Sequence, residues 1–435
     1  MIRWFAALFF FLSSLPLFAA IEIEELETPG GITVWYLPEP SIPMISLAIG
    51  FKGGAIFDPA EKAGATYVMT GLLEEGAGEL GAVAYAEKIE ELSAQFTFDT
   101  SRDALSISAQ FLKENADEAV DLLRLAVREP RFDEVAFERV KGQVASIVAR
   151  RATNPDDIAS DAFNRVAFAG HPYERPYQGL PETVSGLTRQ DIVDAHQRAM
   201  SKDRLYIGAV GDFSPDELAK IVDRLFADLP ETGPEFPKPV DYAAKPGVEI
   251  IEHDSPQSVA IWGQDGISND DPEFFPAFVM NKILGSGGFG SRLTEEVRVK
   301  RGLTYGIYSY LATMDHGHFY GGQVASQNER VAEAIEVIRA EWRRMAEGGV
   351  TEEELDAAIK NMTGSYVLRF DGNAQIASIL RYSQMDGFPI DYPQNRNSYI
   401  EAVTQEDIAR VAKKLLKEDE LFFVVVGQPE GLDAN

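Results

Sequence analysis

At 435 residues, with 45% hydrophobic and 10% aromatic side chains, the chain is long enough for two or more domains with sizeable cores. The absence of cysteine excludes thiol catalysis and a Cys-ligated metal. A formal charge of −29 repels nucleic acid and anionic lipid and leaves basic partners or peptides, with solubility as the simpler account of the charge.

Residues 1–20 place Arg3 before an apolar run that is short for a membrane span and ends in small residues. This reads as a cleaved secretory signal in preference to an anchor, and predicts a periplasmic or secreted protein with no stable membrane insertion after cleavage. Loss of that segment leaves 39 basic against 69 acidic groups, a charge of −30. Residues 21–36 and 44–52 alternate apolar and polar positions around a proline-flanked turn, as two sheet strands do. Residues 64–75 and 82–92 have helical spacing, 95–100 and 104–111 read as strands, and 115–128 and 133–151 as two further helices. Residues 230–246 contain five prolines and no period, which marks a linker. Beyond it the order repeats: strands over 247–263, a helix over 274–284, a glycine-rich turn, more strands, helices from residue 331 and a last strand.

The repetition is visible residue by residue. Segment 187–211 has a counterpart in 403–427, each with a Thr three residues ahead of an Asp (Thr188 and Asp191; Thr404 and Asp407), then an amphipathic helix and an apolar strand ending in Gly. Pro43, Gly50, Asp58 and Pro59 recur as Pro256, Gly263, Asp271 and Pro272. Two matches in nearly the same register indicate one fold used twice. The predicted organisation is therefore a signal at 1–20, an N-terminal domain at 21–229, a linker at 230–246 and a C-terminal domain at 247–435. Each domain is α+β, a mostly antiparallel sheet with helices on one face.

Residues 168–180, FAGHPYERPYQGL, and residues 284–311, LGSGGFGSRLTEEVRVKRGLTYGIYSYL, closely resemble the pitrilysin and insulinase-like metallopeptidases, the group with the inverted H-x-x-E-H zinc motif that includes mitochondrial processing peptidase. The likeness covers about residues 25–430. It implies two similar units closing like a clamshell around a chamber. In zinc-bearing members the helix after the second strand carries two His that hold the metal and a Glu that takes a proton from bound water. The matching positions here are Tyr67, Thr70 and Gly71, in GATYVMTGLLEEG. The family's third ligand, a Glu on a later helix, matches Ser146 or Ile147, ahead of Asn154 and Pro155. The resemblance thus implies a degenerate zinc motif and no metal in this chain. Arg298 and Tyr305 match the Arg and Tyr that the family places in its non-metal half, facing the substrate at the other half's zinc. An always-charged guanidinium can hold a substrate carbonyl, and a Tyr hydroxyl can donate to the oxyanion formed on attack at an amide. Propensity alone would also allow an Arg near a helix end and a Tyr in a strand.

Other candidates are weaker. Of the five histidines only His316 and His318, next to Asp315, have ligand-like spacing, and a hairpin turn with solvated imidazoles is the better reading. His171 suits a structural hydrogen bond in its His-Pro-Tyr turn. Glu74 and Glu75 read as a solvated or ion-paired helix end, and Arg301 as a solvated charge. After Gly302 the alternation puts Tyr305, Ile307 and Ser309 on one strand face. Gly285, Gly287, Gly288 and Gly290 follow a helix without a Lys-Ser or Lys-Thr, which argues against a phosphate cradle and for a tight link that lets Arg292 pack. Asn361 heads a sequon in form only.

The leading expectation is a zinc-free subunit of an exported two-chain metallopeptidase: a homologous H-x-x-E-H partner holds the zinc, and this chain contributes Arg298 and Tyr305 toward a peptide substrate. The alternative is an inert peptide-binding or assembly scaffold of the same fold. A self-sufficient hydrolase using His316 and His318 ranks last, because no nucleophile, base and orienting group share a convincing spacing.

Overall fold

Residues 22–434 are described in a computed structural model, and the segment read as a signal lies outside the described residues. The first half runs through β1 (Glu24–Glu27), β2 (Thr33–Pro38), β3 (Met44–Lys52), α1 (Ala65–Leu72), the short pair β4 (Gly76–Ala77) and β5 (Leu80–Gly81), and α2 (Ala82–Glu91). It continues with β6 (Gln95–Thr100), β7 (Ala104–Leu112), α3 (Ala116–Arg128), α4 (Glu134–Arg151), α5 (Pro155–Ala167), α6 (Pro181–Ser185), α7 (Arg189–Ala199), β8 (Leu205–Gly211) and α8 (Pro215–Phe226). The second half comprises β9 (Gly247–Glu252), β10 (Gln257–Asp265), α9 (Phe274–Asn281), β11 (Thr304–Met314) and β12 (Gly317–Gln327). Helices α10 (Val331–Gly348), α11 (Glu352–Tyr366), α12 (Asn373–Met385), α13 (Tyr392–Glu401) and α14 (Gln405–Leu415) precede the last strand, β13 (Phe422–Gly427).

The duplication extends to topology. The first sheet is ordered β1-β2-β8-β3-β7-β6 and the second β11-β12-β10-β13-β9. Without the extra edge strand β1, the two are the same sheet. In each, the last strand of the half lies inside, parallel to the first repeated strand (β8 to β2, β13 to β9) and antiparallel to the next (β8 to β3, β13 to β10). The repeated Thr and Asp cap the helix that leads into that strand. Thr188 Oγ1 accepts from the Asp191 amide while the Asp191 carboxylate accepts from the Thr188 amide, and Thr404 with Asp407 repeats this. Such a cap contributes about 1 kcal/mol.

One strand expectation needs correction. Residues 21–36 are two strands, because the chain turns at Thr28, whose hydroxyl accepts from Ile32 N–H at 3.2 Å, and at Gly31, where φ is 73°. Strands β2 and β3 are not neighbours in the sheet; β8 lies between them. Only the middle of the sheet can bury both faces, and the uninterrupted apolar run of β8 suits that place.

Each sheet packs one face on helices of its own half. Val34, Ile49, Phe51, Val68, Leu72 and Ile107 belong to the first core, and Trp262, Leu284, Tyr320, Trp342 and Phe423 to the second. The halves face each other as the resemblance implied, and the opposite sheet faces are covered by exchange. Helix α12 of the second half lies on β3 and β8, with Ile376, Ala377 and Leu380 against Trp35, Ala48 and Val210. Helix α5 of the first half lies on β10 and β13, with Ala162, Phe163 and Ala167 among Val259, Ile261, Phe422 and Val424. The repeated glycine now has a reason. A Cβ at Gly50 would meet Met385 Sδ at 2.6 Å on α12, and a Cβ at Gly263 would meet the Phe163 ring at 2.5 Å on α5. Close approach of the exchanged helix requires the missing side chain.

The linker is fastened to both halves. Arg204 lies over the Phe57 and Phe236 rings at 5.1 and 4.5 Å and donates to the Pro234 carbonyl at 2.9 Å, while the Val240 amide donates to the His316 carbonyl at 2.8 Å.

Candidate functional site

Helix α1 is the helix that the resemblance matches to the zinc-bearing one, and Tyr67, Thr70 and Gly71 lie on it. Its start is set by Asp58, whose carboxylate accepts from the Gly64 and Thr66 amides and from Thr66 Oγ1 at 2.6 Å. Burial pushes that carboxyl up to about 6 against those hydrogen bonds and the charge of Arg198. In the first turn, Tyr67 packs edge-on to Tyr177 with centroids 5.8 Å apart. Thr70 is buried and donates its hydroxyl to the Thr66 carbonyl at 2.8 Å. A Cβ at Gly71 would lie 3.2 Å from Val140 Cγ1 of α4. Ser146, farther along α4, is exposed and donates to the Gly142 carbonyl.

These side chains do not fit zinc. A phenol turned into an aromatic pair, an alcohol spent on its own helix and a glycine offer neither imidazole nor carboxylate. Among the described residues no three His, Cys, Asp or Glu side chains are grouped to hold a metal ion. Glu75, just beyond α1, is ion-paired with Arg139.

The Arg298 and Tyr305 region is arranged differently. Helix α9 does not continue to residue 284 as an α-helix; it widens into a π turn over Lys282–Ser286, and a second π turn spans Thr294–Val299. Wide turns of this kind recur at functional sites. The second turn closes at Gly302, where φ is 61° and the amide donates to the Arg298 carbonyl at 2.9 Å. Gly285 is required by contact, because a Cβ there would meet Ser309 Oγ at 2.1 Å. Arg292 packs inward as anticipated and makes a two-pronged pair with Glu354 at 2.7 and 2.6 Å.

Strand β11 starts with a bulge. Thr304 is opposite Ser326 and Ile307 opposite Val324, so three steps on β11 match two on β12. Thr304 Oγ1 donates to the Ala325 carbonyl at 2.6 Å and accepts from the Gly306 amide at 3.0 Å, which holds the extra residue in place. The expectation that Tyr305 and Ile307 share a face is therefore overturned. Ile307 is 5% exposed and Tyr305 is 86% exposed, because the bulge reverses the alternation between them.

The charges around Arg298 are all neutralised except its own. Lys300 and Arg301 both pair with Glu296 at 2.7 Å, so Arg301 is not merely a solvated helix-end charge, and Arg292 is paired with Glu354. Among the described residues Arg298 has no carboxylate partner, and its guanidinium lies 4.5 Å from the centre of the exposed Phe289 ring.

His171, His196 and His316 are engaged in hydrogen bonds or packing. His171 Nδ1 accepts from the Tyr173 amide at 3.2 Å, and His196 Nε2 is 2.8 Å from the Val127 carbonyl. His316 does stand at the β11–β12 hairpin, but it is only partly exposed. Its ring packs on Phe236 at 5.4 Å and its amide donates to Tyr173 Oη at 3.0 Å, while Asp315 pairs with Lys52 at 3.3 Å. The hairpin tip thus docks the second half onto the first. His318 is half-exposed, with Nε2 3.7 Å from Asp265.

Two family descriptions match the chain: Insulinase (Peptidase family M16) over residues 34–179 and Peptidase M16 inactive domain over residues 186–362. A protein of Helicobacter pylori called a non-peptidase homolog, YmxG, is 26% identical over 408 residues, covering 93% of each chain. An uncharacterized zinc protease of Streptomyces coelicolor is 24% identical over 395 residues, 89% of this chain and 86% of its own. The crystal structure of a peptidase M16 inactive domain from Pseudomonas fluorescens superposes with a TM-score of 0.88 at 26% identity, covering 95% of this chain and 99% of that one.

Proposed function

Since this chain belongs to the M16 peptidase family, we propose that it is an inactive member by itself and serves as the zinc-free subunit of an exported two-chain peptidase. A homologous partner bearing H-x-x-E-H supplies the zinc and the general base. This chain supplies Arg298 and Tyr305 to the peptide substrate in the chamber between the two subunits. The observation that carries the reading is a contrast in one surface: every other cation from Arg292 to Arg301 is ion-paired, while Arg298 has no carboxylate partner among the described residues and Tyr305 is 86% exposed at the head of β11. An unpaired guanidinium and a protruding phenol are costly as packing and useful as ligands for a carbonyl and a developing oxyanion. Phe289, Val299, Tyr305 and Tyr308 are also exposed, an apolar surface that a partner subunit would cover.

Mixing the purified chain with an H-x-x-E-H homologue from the same organism tests the reading. Peptide cleavage is expected from the mixture and not from either chain alone. Full activity of the homologue by itself would refute the proposal.

A further inference from the structure

The second half contains a cavity of about 310 Å³, within the range of small-ligand sites. It lies among α9, α11, α12 and α13, with Thr313 of β11 on its wall, roughly 26 Å along the strand from Tyr305. It is a separate place from the site described above. Its walls are aromatic: Phe388 and Tyr392 stack at 4.0 Å with planes 9° apart, and Phe274 and Phe278 stack at 5.8 Å.

Two guanidiniums reach the same cavity. Arg396 lies 4.5 Å from the centre of the Tyr366 ring, and its Nη1 donates to the Met362 carbonyl at 3.0 Å and to Asn397 Oδ1 at 3.3 Å. Burial works against its charge, and a bound anion would offset that cost. Arg369 stands on the exposed turn Val367–Phe370 and, among the described residues, has no hydrogen bond or ion pair. One acid lines the cavity, Asp386; its charged neighbours are Asp315 and Lys52, not the arginines. In a chain with 69 acidic groups against 40 basic ones, two arginines line this one cavity and, among the described residues, neither has a carboxylate partner.

We propose that this cavity binds an aromatic carboxylate, with the ring against the stacked Phe and Tyr walls and the carboxylate held by Arg369 and Arg396. The same chemistry is presented by a free aromatic acid and by the last residue of a peptide that ends in Phe or Tyr. The inference stands independently of the role given to Arg298 and Tyr305.

Calorimetric titration of the full chain tests it with four probes: 2-naphthoate, 2-naphthamide, and a short peptide ending in Phe as the free acid or the amide. Each acid that binds should do so at least about tenfold more tightly than its amide. Arg369→Met should weaken that binding about tenfold, and Arg369→Lys should lose less, because the charge remains while the fork is gone. Arg369 is exposed, so both variants should melt with the unsubstituted protein. Binding of naphthoate identifies a small acid, and binding of the peptide acid alone identifies a chain terminus; either supports the proposal. Equal affinity for acid and amide, no binding of either acid, or an Arg369→Met protein that binds undiminished would overturn it.

Discussion

The two halves share one sheet order, one capping box and one glycine beneath an exchanged helix, yet they treat their chemical positions in opposite ways. On α1, Tyr67 is closed against Tyr177 and Thr70 is buried and bonded to its own helix. At the start of β11 a bulge holds Tyr305 out in solvent, and Arg298 has no carboxylate partner among the described residues. A position without a chemical task relaxes into packing. A position that must meet a ligand keeps unsatisfied groups at some cost in stability.

The largest expected effect breaks this contrast from the open side. In the two-chain complex, Arg298→Ala combined with Tyr305→Phe should lower kcat by about 10²–10³, the usual effect of losing oxyanion donors, while gel filtration still shows the complex. Unchanged kcat would favour the scaffold alternative.

The closed side can be probed through Asp58 at the head of α1. Its carboxyl rises from 3.8 to about 6 in the folded protein, so the folded state binds the proton more readily than the unfolded chain. This group therefore adds stability as pH falls from about 6 toward 3.8, and the gain is lost as pH rises through 6. Urea titrations between pH 4 and 6 should show a shallower pH dependence for Asp58→Asn, with a difference of up to about 3 kcal/mol across the window. Asp103, also raised to about 6 by burial, leaves some slope in both proteins.

The exchange of helices gives a smaller effect. A Cβ at Gly208 would meet the Ala377 carbonyl oxygen on α12 at 2.1 Å. Gly208→Ala should cost about 1–3 kcal/mol in denaturant unfolding. Gly263→Ala should cost less, because the atom it meets is a Phe163 ring that can move. The smallest effect sharpens the choice between neighbouring arginines: Arg301→Ala should remove at most about 1 kcal/mol of stability, since its pair with Glu296 is half-exposed, and should leave peptide cleavage by the complex unchanged.

Much of this arrangement was legible in the residues. The Thr188 and Thr404 caps, the recurring Gly50 and Gly263 and the five-proline linker are local signals, and local signals survive in a sequence. The absence of ligands at Tyr67, Thr70 and Gly71 was equally readable, because identity alone decides whether a side chain can hold a metal. Long-range features were not. Insertion of β8 between β2 and β3, and the crossing of α5 and α12 to the other half's sheet, depend on partners far away in the chain. The bulge at Tyr305 escaped because strict alternation was assumed for β11; the Thr304 hydroxyl and Gly306 beside it were the available signal. The packing of His316 was not legible because its neighbours, Tyr173 and Phe236, come from the other half and the linker.

Metal analysis of the isolated chain, after equilibration with excess zinc and removal of the free ion, tests most directly whether it can activate water unaided. We predict far less than one zinc per chain and no peptide cleavage. One tightly held zinc per chain, or hydrolysis by the chain alone, would contradict that.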